Sequence, residues 1–214
     1  MDQLEKYLIE SASRHHRLCP RQVLGVRMGL YAGQLLDLPL PQTDKQLLVI
    51  SETDGCFVSG ISVTTGCRVS RRTLRIEDYG KVAATFIQLP TQRAFRIAPR
   101  LDVRERAFQY APHEKRRWYA QLDGYQVMPD DELFMMQEVT LSTPVENLIG
   151  RPGVRVNCES CGEEIINQRQ VYQDGQQLCK FCAGESNYYL NDQSLRSWPT
   201  KTSSGVQNVS EVSC

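Results

Sequence analysis

Apolar positions recur every three to four residues at the start of the chain. Leu4, Tyr7, Leu8 and Ala12 share one face of residues 2–14, which predicts a short amphipathic helix ending in the polar SRHHR segment. Pro20 suits a first helical position, and Val23, Leu24, Met28, Tyr31 and Leu35 continue the period along a second helix. Gly25, Gly29 and Gly33 fall four apart on it. Glycine lowers helix propensity, so three in register predict that another backbone passes close to that stripe.

Beyond a connection at residues 36–46 that holds Pro39 and Pro41, QLLVIS reads as a strand. The next segment, ETDGCFVSGISVTTGC, stays open. Its Val, Ile, Thr and Gly content favours a strand, yet Asp54 could cap a helix on which Phe57, Val58 and Ile61 share a face. YGKVAATFIQL and RAFRIAP read as two strands of a hairpin turning near Pro90 to Gln92. Pro112 can start a helix carrying HEKRRWYAQL, Asp130 and Asp131 can cap a short helix at ELFMM, and QEVTLST is a possible strand. The fold class expected is α+β, a mixed or antiparallel sheet with packed helices over residues 1–148, followed by a small zinc-ribbon-like module at 149–190. Pro144 to Pro152 carries the link. Tyr188, Tyr189, Leu190, Leu195 and Trp198 are spaced to pack back on the body. From Lys201 onward too little apolar material remains to fold, so 191–214 is expected to be mostly loose, with Cys214 an uninvolved thiol.

Composition narrows the function classes. The 214 residues carry 25 basic and 25 acidic side chains, so no global field draws the chain to nucleic acid or an anionic membrane. No apolar run is long enough to span a bilayer, and the charged DQLEKY after Met1 lacks the pattern of a signal peptide. A cytoplasmic protein is the expectation, in which eight cysteines are ligands or buried thiols rather than disulfides.

Val156 to Cys182 supplies the strongest chemical signal. Cys158 with Cys161, and Cys179 with Cys182, form two CxxC pairs separated by 17 residues. Each pair gives two soft ligands from one tight turn, and an intervening hairpin can bring the second pair back to complete a tetrahedron around Zn²⁺. Three further cysteines, Cys19, Cys56 and Cys67, share the first domain with His15 and His16, and these suggest a second metal site. Cys19 precedes the second helix, where amide N–H groups and the helix dipole favour a thiolate. If residues 56–66 are helical, Cys56 and Cys67 lie about 16 Å apart and cannot share one ion. A strand and tight turn would keep a shared site possible.

SRHHRLCPRQVLGVRMG and ETDGCFVSGISVTTGCRVSRRTLRIEDYGKVAATF together resemble the FmdE family, named for a component of formylmethanofuran dehydrogenase, whose members often carry a C-terminal four-cysteine finger. The likeness covers about residues 10–185. It implies an α+β fold, usually dimeric, with a metal-binding cleft built from Cys and His. In the family's HGHxCPG motif, His15 takes the first His position, His16 the Gly position and Arg17 the second His position; Cys19 and Pro20 match, and Arg21 replaces the final Gly. Cys56 matches the cysteine after the Thr-Asp pair, Cys67 the TGC element, and Asp78 to Lys81 the DYGK element. Ser59 and Ser62 stand where the family commonly has Asp and Gln. The resemblance favours a helix between Cys56 and Gly66. It implies metal ligands among His15, His16, Cys19 and Cys56, with Lys81 and Tyr79 as ligand-binding candidates.

Three functions compete. The first is a metal-binding accessory protein of one-carbon or molybdenum/tungsten redox metabolism, a homodimer that binds a small anionic or carbonyl ligand and docks on a redox enzyme through the zinc module. The second is a zinc-dependent enzyme acting on a small carbonyl compound, although paired carboxylates, a nucleophile elbow and a phosphate loop are all missing and no catalytic residue can be named. Nucleic-acid binding is the third, prompted by eight Arg or Lys against three Asp or Glu between Arg93 and Arg117. The finger also prompts it, but its charge does not reinforce it, with four basic and five acidic residues over 150–190.

Overall fold

Residues 2–150 and 153–185 are described in the computed structural model. The expected packing of Tyr188, Tyr189, Leu190, Leu195 and Trp198, the loose tail and Cys214 lie outside the described residues. The chain divides into two compact units, Met1–Ile149 and Gly150–Cys214. No helix among the described residues is long and apolar enough to cross a membrane.

The first unit is a mixed α+β fold. Its helices α1 (Gln3–Ser13) and α2 (Pro20–Leu36) lead into strand β1 (Leu47–Ser51), helix α3 (Cys56–Thr65) and strand β2 (Leu74–Ile76). Strands β3 (Ala84–Gln88) and β4 (Ala94–Pro99) follow as a hairpin, then helices α4 (Val103–Tyr110), α5 (Arg117–Val127) and α6 (Asp130–Leu133), strand β5 (Phe134–Glu138) and helix α7 (Val145–Ile149). The sheet order is β2-β1-β3-β4-β5, parallel between β1 and β2 and antiparallel elsewhere. Side chains alternate across it. Leu47, Val49, Phe86, Phe95 and Ile97 join the main core with α2 and α3, while Leu48, Ile87 and Ala94 form a second cluster with Val145 of α7.

Helix α3 resolves the open segment against strand propensity. Its β-branched residues are overridden by packing, because Phe57 and Ile61 are fully buried in the main core and Gly60 lets α3 reach the backbone of α2. The buried hydroxyls of Thr64 and Thr65 donate to the carbonyls of Gly60 and Ile61 at 3.0 and 2.7 Å, so their polarity is satisfied inside the helix.

Three expectations shift in detail. The helix expected from Pro112 begins at Arg117, and a separate helix, α4, precedes it. At ELFMM only Asp130–Leu133 is helical, after which Phe134–Glu138 runs as an edge strand paired with β4. The linking region contains α7, whose Val145 covers the sheet's second face.

Candidate metal centre

The second unit is two small hairpins carrying two hooks. Strands β6 (Arg155–Asn157) and β7 (Glu164–Ile166) form the first, and β8 (Val171–Gln173) and β9 (Gln176–Leu178) the second. Cys158 and Cys161 occupy the β6–β7 turn, where Gly162 takes a positive φ of 81° and donates its N–H to the Cys158 carbonyl at 2.8 Å. Cys179 and Cys182 follow β9 directly. Glu159 N–H donates to the Gln177 carbonyl at 2.9 Å, and Gln177 N–H to the Glu159 carboxylate at 3.0 Å, which brings the hooks face to face.

All four sulfurs lie within 4.8 Å of one another, and Cys161 Sγ is 4.0 Å from Cys179 Sγ. A tetrahedron with Zn–S bonds of about 2.3 Å has edges of about 3.8 Å, so this set fits zinc. Burial opposes the Cys158 thiolate, but amide N–H groups of Cys161, Cys179 and Ser160 outweigh it and bring that thiol down to about 6. Burial and the neighbouring sulfurs push Cys161 up to about 12. One thiolate is favoured without metal; a cation is what stabilises four together.

In the first unit the paired helices α2 and α3 present their N-termini together. Cys19 is the N-cap residue of α2, with its N–H donating to Gln22 Oε1 at 2.9 Å, and Cys56 opens α3. Gln22 is fully buried and donates through Nε2 to the Ser11 carbonyl at 2.8 Å, so α1 fixes that cap. The two thiols interact. Burial raises the Cys19 pKa, the Cys56 thiol adds to the rise, and the amides of Gln22 and Arg21 work against both. The expected helix-terminus stabilisation of the thiolate is therefore present but outweighed.

His15 reaches the same region and pairs its Nε2 with Ser59 Oγ at 2.9 Å, one turn along α3 from Cys56. His16 is exposed. His15, His16, Cys19 and Cys56 are not drawn into one ligand-distance group among the described residues. Cys67 is buried at the far end of α3, its thiol directed to the Leu47 carbonyl at 3.5 Å, and is a core residue.

Tyr79 and Lys81 are exposed on a loop held by the Glu52 carbonyl, which accepts from their N–H groups at 3.0 and 3.1 Å. Glu52 is itself locked by Arg96 through contacts of 2.5 and 2.8 Å. The Tyr79 hydroxyl donates to Glu77 at 3.0 Å, a bond that raises its pKa. One group carries no signal in the sequence: His113 Nε2 lies 3.5 Å from Asp123 and 3.8 Å from Glu114, an exposed charge cluster. Asp123 is ten residues from His113 and lies on α5, while His113 sits in the loop that joins α4 to α5.

Comparisons agree with the two-part build. The family model described as "FmdE, Molybdenum formylmethanofuran dehydrogenase operon" matches residues 14–135, and "Prokaryotic dksA/traR C4-type zinc finger" matches 152–188. A protein of Archaeoglobus fulgidus named "Probable S-adenosyl-L-methionine-binding protein" is 26% identical over 206 residues, covering 87% of this chain. The chain spans about half of that relative's length, 54%. The crystal structure of a tungsten formylmethanofuran dehydrogenase FmdE-like protein from Syntrophus aciditrophicus superposes with a TM-score of 0.57 at 19% identity, over 87% of this chain and 95% of that one. That likeness shows the shared fold.

Proposed function

The chain belongs to the FmdE family as a metal-binding accessory protein with a zinc-finger-like module, and we propose that it serves one-carbon or molybdenum/tungsten redox metabolism. In this reading the core holds a metal or small ligand, and the four-cysteine module docks on a redox enzyme. The observation that carries it is the meeting of Cys19 and Cys56 at paired helix N-termini, two soft donors on rigid elements. The matched family's description, which names a molybdenum enzyme operon, supports the metabolic setting. Bound zinc would act as a structural cross-link in the module and as a Lewis acid beside Cys19.

A homodimer in the cytoplasm, with Tyr79 and Lys81 flanking a small anionic or carbonyl ligand, completes the proposal. An independent zinc enzyme needs three protein ligands and an open position. Among the described residues no third His, Cys, Asp or Glu joins Cys19 and Cys56 at ligand distance, which supports the accessory role.

Elemental analysis of the purified full chain tests this reading. About two zinc ions per chain are expected, one lost with Cys158→Ser and the other with a Cys19→Ala/Cys56→Ala double variant. A single ion per chain, untouched by the double variant, would overturn the core metal.

A further inference from the structure

We infer that the first unit binds a small phosphate-bearing ligand with a flat organic body, in an arginine-walled cleft beside Cys19. This rests on the reading that the core holds a ligand near Cys19 but requires no metal there. The cleft has a volume of about 690 Å³, within the range of small-molecule sites. Its walls come from the start of α2, the loop at Gly80, the turn from β4 into α4, the start of α4, and α5 from Arg117 to Tyr125.

Arg21, Arg100, Arg104 and Arg117 line this space against one carboxylate, Glu105. Four other arginines of the unit are ion-paired, Arg14 with Glu10, Arg27 with Asp130, Arg96 with Glu52 and Arg106 with Glu132. None of the four cleft arginines makes an ion pair among the described residues. Arg100 donates through Nε to the Asp131 carbonyl at 2.7 Å, which leaves its terminal nitrogens. Like charges gathered around one volume repel until an anion enters, and guanidinium forks match phosphate oxygens two at a time.

A second observation is independent of charge. Tyr125 lines the cleft and is only 2% exposed, yet its hydroxyl makes no hydrogen bond among the described residues. The hydroxyl oxygen is not among the fully buried unpartnered atoms, so it is open to solvent from the cleft, where a ligand atom can replace water as its partner. Trp118 supplies the flat wall, with the Arg17 guanidinium 5.4 Å above its ring and Tyr119 at its edge. The pairing also sorts the basic run that the sequence left ambiguous. Arg93 lies over Phe95, Arg96 and Arg106 are ion-paired, and Arg100, Arg104 and Arg117 line the cleft.

Calorimetric titration of the zinc-loaded full chain with ADP, inorganic pyrophosphate and adenosine tests the inference. ADP and pyrophosphate are expected to bind and adenosine to bind at least about tenfold more weakly. Arg104→Gln/Arg117→Gln should weaken ADP by about tenfold or more, and Tyr125→Phe by several-fold. Arg93→Gln, outside the cleft, should leave binding unchanged. Equal loss in Arg93→Gln, tighter binding of a mixed-sequence oligonucleotide than of ADP, or no binding of ADP and pyrophosphate at millimolar concentration would each overturn the cleft. Zinc measured on the same samples separates the readings: ADP binding with no core zinc sinks the core metal alone, and core zinc without ADP binding sinks the cleft alone.

Discussion

Gly25 of α2 and Gly60 of α3 are in reciprocal backbone contact. A methyl group on Gly25 would lie 2.2 Å from the Phe57 carbonyl oxygen, and one on Gly60 would lie 2.4 Å from the Gln22 carbonyl oxygen. Both obstacles are main chain and cannot swing aside. This contact lets the two helices run close enough for Cys19 and Cys56 to meet.

Gly25→Ala should therefore cost about 3 kcal/mol or more, despite alanine's better helix propensity. Gly29→Ala should cost less, because its methyl would meet side chains rather than main chain, Thr64 at 2.9 and 3.0 Å and Thr65 at 3.4 Å. Urea midpoints of the two variants give the comparison. A Gly25→Ala protein as stable as the parent would show that the helices do not touch at this point.

The glycine stripe and its need for a close neighbour are readable in the sequence, because glycine at every fourth helical position has few other uses. The partner is not readable. Residues 56–65 have strand propensity, and only burial of Phe57 and Ile61 against α2 makes them helical. Once they are, Cys67 falls at the far end from Cys19 and becomes packing. The two CxxC hooks are legible because their chemistry lies in local spacing. The cleft is not, since Arg21, Arg104 and Tyr125 come from α2, α4 and α5, and spacing along the chain is silent about which arginines find carboxylates.

Arg27 ties α2 to the end of α5. It donates to the carbonyls of Tyr125 at 2.8 Å, Gln126 at 3.0 Å and Met128 at 2.7 Å, and to Asp130 at 2.7 Å. These carbonyls close a helix C-terminus that carries no basic residue in its own last turn. Arg27→Ala should destabilise the first unit by about 2 to 4 kcal/mol, and Arg27→Lys should recover less than half of this, since one ammonium cannot fork to four acceptors. Full recovery by lysine in thermal unfolding would reduce the role to charge alone.

Burial pushes the Tyr125 phenol up to about 12, against about 10 in an unfolded chain. The neutral phenol is favoured in the fold, so its contribution to stability is complete below pH 10 and is lost as pH rises through 12. Tyr125→Phe should flatten the fall in stability between those values. Denaturant midpoints measured across that range check it, and an identical slope in parent and variant would place the hydroxyl in water.

The zinc module has little apolar material to hold it. Its buried cluster is Cys158, Ile165 and Leu178, and at about 1.5 to 3 kcal/mol per buried aliphatic side chain it falls far short of the entropy of ordering residues 153–185. Metal binding to four thiolates supplies about 10 kcal/mol or more, so the module should fold only when loaded. Cys158→Ser, or exhaustive chelation, should abolish amide-exchange protection in β6 to β9 while leaving that of α2, α3 and β1 to β4 intact, because the latter belong to a compact unit with its own core. Protection of β6 to β9 persisting in the metal-free chain would show that the two hairpins hold without the ion.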